Sequence, residues 1–272
     1  MQTSRLRLET MDDKQQIHSE MSSHGPPALS IIVPVLNEAR LIFAFLRHLR
    51  AQAPAEIIVV DGGSEDGTVS LCEPLADQVI CATGGRAAQM NAGAAVARAE
   101  ILWFLHADSE LPPRAIESIR RHLEDPGQAG GCFRLRFPRR EWIYRVSDSL
   151  GNLGVDVFGF ALGDHGIFCR RGSFEKVGGF PLVPILEDAE LYRRLRRVGK
   201  MEQLRDAIVS SPRRYEMLGP YRTTAFYALI LALYVAGLRI HTLHRLYRRL
   251  HRKNAGSRRK NAADETPVIH RA

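Results

Sequence analysis

The chain has 272 residues, 45% hydrophobic and 25% charged, an ordinary balance for a globular protein with a real core, long for one simple domain and short for two. The net charge of +8 is uneven: residues 1–238 hold 28 basic and 28 acidic side chains, whereas residues 239–260 hold nine basic and no acidic ones. A neutral body with a basic tail argues against nucleic acid as a partner, since such domains carry their basic patch on the fold.

Residues 1–28 are polar, mixed in charge and without an apolar stretch of signal-peptide kind, so they read as a disordered leader that Gly25-Pro26-Pro27 punctuates. Leu29–Val35 is the first strand and ends in Leu36-Asn37-Glu38. Leu41, Phe45, Leu46 and Leu49 then recur at helical spacing. Ile57–Val60 is a run of β-branched residues of the kind buried inside a parallel sheet, and it stops on Asp61-Gly62-Gly63-Ser64-Glu65-Asp66-Gly67-Thr68. A helix starts at Thr68 and runs to Leu75. Gln78–Ala82 is a short third strand, and Thr83-Gly84-Gly85-Arg86 leads into an alanine-rich helix over 87–98. Ile101–Leu105 is the fourth strand, ending on His106-Ala107-Asp108, and Pro112-Pro113 opens the next helix, where proline is tolerated. Successive β–α units imply a right-handed, mostly parallel sheet with helices on both faces, an α/β class.

The second half is less regular. Gly130–Phe137, Gly166–Arg170 and Met201–Val209 read as strands, and Trp142–Phe160 as a helix with a glycine-rich middle. Phe174–Phe180 reads as a short helix and turn, and Glu187-Asp188 opens a helix with Leu191, Leu195 and Val198 on one face. Four cysteines (Cys72, Cys81, Cys132, Cys169) show no C-x-x-C pair or zinc spacing. Three lie in or beside apolar runs and read as buried reduced thiols, which suits the cytoplasm.

Three polar groups follow the first, second and fourth strands directly: Asn37-Glu38, Asp61 and Asp108. Ligands of open α/β sheets bind beyond the carboxyl ends of the strands, so these groups converge on one edge. Each alone could be a turn or a helix cap; three at the ends of parallel strands strain that account. Arg86, behind two glycines at a helix start, adds a cation and open backbone suited to phosphate. Neither G-x-x-x-x-G-K-[ST] nor G-x-G-x-x-G occurs at these turns, so a P-loop and a dinucleotide fingerprint are excluded.

Val33-Pro34-Val35-Leu36-Asn37-Glu38, Val59-Val60-Asp61-Gly62-Gly63-Ser64-Glu65-Asp66-Gly67-Thr68, Phe104-Leu105-His106-Ala107-Asp108 and Leu186-Glu187-Asp188-Ala189-Glu190-Leu191, in that order, resemble the family 2 glycosyltransferases. With Gly85-Arg86-Ala87-x-Gln89-Met90-Asn91-x-Gly93 included, the set is most similar to the subgroup called radical-SAM/selenodomain-associated transferases. The resemblance implies a GT-A-type fold over residues 29–222 and inverting transfer from a nucleoside-diphosphate sugar to a glycan or lipid acceptor. It implies that Asn37, Glu38, Asp61 and Gly63 surround the nucleoside, and that Arg86 and Arg214 meet the diphosphate. Asp108 would hold a divalent metal, Mn²⁺ or Mg²⁺. Asp188 would be the catalytic base, with Glu187 and Asp164 on the acceptor side. One departure stands out: His106 occupies the position where the family's D-x-D motif has its first acid, so the metal would rest on Asp108, phosphate and water, with His106 as a candidate nitrogen ligand. Two readings compete, a sugar nucleotidyltransferase and a non-catalytic nucleotide-sugar-binding protein. The first wants a glycine- and arginine-rich loop where this chain has Leu36–Arg40.

Residues 223–253 read as one apolar-to-basic amphipathic helix, followed by a disordered basic tail over 254–272. Ala225–Leu238 is uncharged but short of the ~20 residues of a membrane span. Merging into basic residues, it suits a membrane interface through residues 223–260 at the cytoplasmic face, or else packing on the body.

Overall fold

A computed structural model describes residues 27–52 and 55–248, with the side chain of Arg214 outside the description. The expected leader up to residue 26 and the tail over 254–272 lie outside the described residues.

Eight strands form one sheet in the order β3-β2-β1-β4-β7-β6-β8-β5. They are β1 (Ser30–Val35), β2 (Glu56–Asp61), β3 (Gln78–Cys81), β4 (Ile101–Phe104), β5 (Ser109–Glu110), β6 (Gln128–Arg136), β7 (Phe168–Arg170) and β8 (Lys200–Ser210). The first four pair in parallel, as do β6 and β8. β7 runs antiparallel between β4 and β6, and β5 runs antiparallel to β8. The sheet is thus parallel where the β–α units predict it and mixed beyond β4.

Alternation along β1 supplies both faces of the core. Ile31, Val33 and Val35 pack with Ile42, Phe45, Leu46 and Leu49 of α1 (Ile42–Gln52) and with Ile116 and Ile119 of a later helix. Ile32 joins Ile58 and Val60 against Ala87, Met90 and Ala94 on the other face. The remaining helices in chain order are α2 (Thr68–Cys72), α3 (Arg86–Val96), α4 (Ala115–His122), α5 (Trp142–Asp156), α6 (Arg171–Lys176), α7 (Glu187–Leu195), α8 (Arg213–Leu218) and α9 (Pro220–Val235). α3 lies close on the sheet: a Cβ on Gly93 would stand 2.5 Å from Ile32 Cγ2 and 2.9 Å from Val60 Cγ2. Cys72, Cys132 and Cys169 are buried and Cys81 is exposed, all unpaired with one another.

The run read as one helix over 223–253 is two segments. α9 ends at Val235, Gly237 turns the chain with φ +86°, and residues 240–248 resume a helix. A positive φ is cheap for glycine alone, and the periodicity on either side hides this break. Both segments pack inward. Ser147 Oγ of α5 lies 2.7 Å from Thr224 Oγ1 of α9, and Leu243 is fully buried with Phe160, Ala189 and Tyr234. Among the described residues no helix is long and apolar enough to cross a membrane.

Candidate active site

The strand ends of β1 and β4 open into a cleft of about 1450 Å³. Its lining combines a polar set, including Glu38, Arg86, His106, Asp108, Asp188 and Arg213, with an apolar set, the apolar arm, that includes Phe137, Leu182, Ile185, Met217, Tyr227 and Leu231; His241 and His244 line the cleft as well.

The loops after β1 and β2 are stitched to each other before they can meet any ligand. Asn37 adopts φ +55°, a region asparagine tolerates. Its backbone N–H donates to Ser64 Oγ at 2.8 Å, and its Oδ1 accepts from Glu65 N at 2.9 Å. Glu38 N donates to Thr68 Oγ1 at 2.8 Å and Ala39 N to Asp66 Oδ2 at 3.2 Å. Asp61 is 5% exposed. Its Oδ2 accepts from Gly63 N at 3.0 Å and Ser64 N at 2.9 Å, and its Oδ1 from Ser64 Oγ at 2.5 Å. The Asp61 carboxylate therefore closes its own turn, and it is absent from the lining of the cleft. Gly63, at φ +100°, faces open space.

The glycine-rich motif of α3 fixes these loops from beneath. Gln89 Nε2 donates to Val35 O at 2.9 Å and to Val60 O at 2.8 Å, pinning the ends of β1 and β2 together. A Cβ on Gly62 would come within 3.1 Å of that amide. Asn91 exchanges two hydrogen bonds of 2.9 Å with the backbone of Phe180. Gln89, Asn91 and Gly93 are thus structural, while Arg86, the first residue of α3, reaches the cleft after Gly84 and Gly85, both at positive φ. Its guanidinium lies 3.9 Å from Glu187.

At the end of β4, Asp108 Oδ2 accepts from Arg213 Nη2 at 3.1 Å, and the same guanidinium lies 3.4 Å from Glu38 Oε2. Sequence reasoning chose Arg214 for this arm. That side chain is outside the described residues, and its neighbour Arg213 lines the cleft. Among the described residues no group of three His, Cys, Asp or Glu side chains could hold a metal. Asp108 nonetheless fits a cation that arrives with phosphate, because Mg²⁺ keeps most of its shell as water and substrate phosphate and takes only one or two carboxylates.

His106 turns towards a different neighbour. Its Nδ1 lies 3.0 Å from Asp164 Oδ1, on the 3₁₀ turn Gly163–His165. Its Nε2 is buried and has no hydrogen-bond partner among the described residues. Gly163 sits between this ring and the base candidate: a Cβ there would stand 2.6 Å from His106 Nε2 and 2.7 Å from Asp188 Oδ2. From sequence, Gly163-Asp164-His165-Gly166 reads as a candidate wall of the sugar pocket or as a plain glycine-flanked turn; the need for a missing side chain at Gly163 itself arises from two residues distant in the chain.

Glu187 and Asp188 open α7 behind Leu186, which adopts φ +62°, and both carboxyls are buried, at 9% and 7% exposure. Burial, and then the charge of Glu187, push the Asp188 carboxyl up to about 7, against the pull of Arg86 and His106. A buried acid pushed up to about 7, in a cleft that also presents arginines, has the features that a general base facing an anionic leaving group requires.

A family model described as Glycosyl transferase family 2 matches residues 30–176. An uncharacterized glycosyltransferase of Mycobacterium tuberculosis (strain CDC 1551 / Oshkosh) is 38% identical over 170 residues, 57% of this chain and 63% of the relative. An undecaprenyl-phosphate 4-deoxy-4-formamido-L-arabinose transferase of Pseudomonas paraeruginosa is 30% identical over 158 residues, 52% of this chain and 46% of the relative. The matches thus span less than two thirds of either relative. Among solved structures, glucosyl-3-phosphoglycerate synthase from M. tuberculosis, in complex with Mn²⁺, UDP and glucosyl-3-phosphoglycerate, superposes with a TM-score of 0.56 at 17% identity, over 78% of this chain and 81% of that one. TarS of S. aureus in complex with UDP-GlcNAc gives 0.54 at 16% identity, over 68% and 58%. The likeness to these two is one of fold, the GT-A fold.

Proposed function

The chain belongs to glycosyl transferase family 2, and from that premise we propose that it moves a sugar, with inversion, from a nucleoside diphosphate to an acceptor hydroxyl, with Asp188 as the base. The observation that carries this reading is the pairing of a buried carboxyl raised to about 7 with the arginines of the same cleft. Asp188 takes the acceptor's proton, the acceptor oxygen bonds to the anomeric carbon from the face opposite the phosphate, and the nucleoside diphosphate leaves with the electron pair. A positioned base of this kind contributes ~10²–10⁴-fold.

Arg86 and Arg213 meet the charge that develops on the departing diphosphate, in the role the sequence reading gave to Arg86 and Arg214. A divalent cation, Mg²⁺ or Mn²⁺, bound with the donor would rest on Asp108 and offset the same charge. Glu38 and the turn of Asn37, Asp61 and Gly63 form the nucleoside end; Asp61 and Asn37 shape that end, since their side-chain oxygens already hold the turn. Glu187 and Asp164 flank the acceptor. The apolar arm of the cleft favours an acceptor with an apolar body, a lipid-borne hydroxyl over a free glycan. The basic residues beyond 238 suit a peripheral position on the cytoplasmic face of a membrane.

The test is a thermal-shift series of nucleoside diphosphates and their sugars, with and without Mn²⁺. At least one diphosphate should stabilise the chain, more with the metal than without. Absence of stabilisation by every member would refute the donor reading.

A further inference from the structure

Beside the apolar arm is a corner where the first turns of α5 and α9 and the short helix α8 meet, through the Trp142–Tyr221 and Tyr144–Tyr215 ring contacts and the Arg139–Glu216 pair. Trp142 and Tyr221 lie ring against ring there, centroids 5.6 Å apart, yet they are 60% and 57% exposed. Met217 lines the cleft and is itself 59% exposed, so the corner is the rim of the arm. The layer beneath is complete without them, because Phe137, Ile143, Tyr144 and Tyr215 pack as a buried cluster. Large apolar groups gathered on a surface that the core does not need mark a contact with something else.

The charge around them identifies what. Residues 139–145 and 216–222 contain four arginines and two glutamates. Arg139 is paired with Glu216, and Arg140, Arg145 and Arg222 are exposed and lie within three residues of Trp142 or Tyr221 in the chain. Tryptophan and tyrosine settle at the headgroup level of a bilayer, and arginines beside them are drawn to anionic lipid.

We propose that this corner docks on an anionic membrane surface and seats the mouth of the apolar arm against it. The docking stands on the corner alone; the consequence that a bilayer-borne acceptor reaches Asp188 from there rests on the sugar-transfer reading. The basic segment after α9 is the weaker candidate for the contact. Among the described residues 239–248, Leu243 is spent inward on Phe160 and Tyr234, and the exposed side chains are those of Arg239, His241, Thr242, Arg245 and Arg248, a set with no apolar member to insert.

Sedimentation of the full chain with vesicles tests the proposal. The chain should bind vesicles of phosphatidylglycerol and phosphatidylcholine more tightly than phosphatidylcholine alone, and less as salt rises. W142S/Y221S should weaken binding about tenfold or more. R140Q/R145Q/R222Q should weaken it further, at about fivefold per charge removed. The control R239Q/R245Q/R248Q should weaken binding less than R140Q/R145Q/R222Q does, since the corner cations stand beside aromatic groups that insert. All these sites are on the surface, so melting midpoints should be unchanged and loss of binding cannot be mistaken for unfolding. Wild-type binding by both corner variants, loss confined to the 239/245/248 variant, or no vesicle binding by the wild type would each overturn the proposal, the last pointing to a protein partner. Vesicle binding by a chain that transfers no sugar would uphold the docking and remove the acceptor reading.

Discussion

Replacing Asp188 by asparagine should abolish transfer and at the same time stabilise the fold at neutral pH. The Asp188 carboxyl titrates near 7 in the folded chain because burial, then Glu187, disfavours its charge; in the unfolded chain an aspartate titrates near about 3.9. Between those values the folded state binds more protons than the unfolded one, so stability falls as pH rises from about 4 to about 7 and levels off above. The whole difference amounts to about 4 kcal/mol, of which roughly 2–3 kcal/mol falls between pH 5 and pH 8. Asparagine does not ionise and so escapes that loss. Urea denaturation of wild type and Asp188→Asn at pH 5 and pH 8 should therefore show the variant gaining about 2–3 kcal/mol on wild type between the two pH values. In parallel, wild-type kcat/KM should rise with pH to a plateau just above 7, and the variant should retain ~10⁻²–10⁻⁴ of the rate without that limb. A stability difference equal at both pH values would refute the buried-charge argument. A variant within tenfold of wild-type rate would refute the base.

Gly163→Ala puts a Cβ 2.6 Å from His106 Nε2 and 2.7 Å from Asp188 Oδ2, so both side chains must retreat by several tenths of an ångström; activity should fall about 10–100-fold while the melting midpoint moves little, checked by initial rates and calorimetry. Asp108→Ala should remove most of the Mn²⁺-dependent part of nucleoside-diphosphate stabilisation in a thermal-shift assay, because Asp108 is the carboxylate at the arginine-facing end of the cleft. His106→Asn keeps a donor for Asp164 and loses the buried Nε2; it should leave that Mn²⁺ response intact and lower kcat, and a parallel loss of the metal response would make His106 a ligand instead.

The parts of the fold that were legible are those written in consecutive residues. Ile57–Val60 and Ile31–Val33 announce buried strands by composition, and α1 by the spacing of Phe45, Leu46 and Leu49. Beyond β4 the sheet is built from pieces that composition does not mark. β5 is two residues, Ser109 and Glu110, and exists because β8 runs beside it. β7 is three residues held antiparallel between β4 and β6. The helix break at Gly237 leaves the apolar stripe intact on both sides, so spacing alone reads straight through it.

The candidate site divides the same way. Asp108, Asp188, Glu187 and Arg86 announce themselves because each stands at the first turn after a strand or at a helix start, where a side chain projects into the crevice whatever its distant neighbours do. Asp61 stands at such a point too, but its oxygens are claimed by Gly63 and Ser64 within its own turn, an outcome that depends on how four residues curl. Arg213 and Gly163 matter through side chains far off in sequence, Glu38 and Asp108 for the one, His106 and Asp188 for the other. Position relative to a strand end therefore picks out acids near the cleft, and it leaves open which of them enter it with an oxygen to offer. That second question is settled by hydrogen bonds: Asp188 faces the cleft with its charge disfavoured by burial, whereas Asp61 spends its charge on three local donors. The physics that makes Asp61 a good turn former makes it a poor base, since a carboxylate already accepting three hydrogen bonds holds its charge firmly.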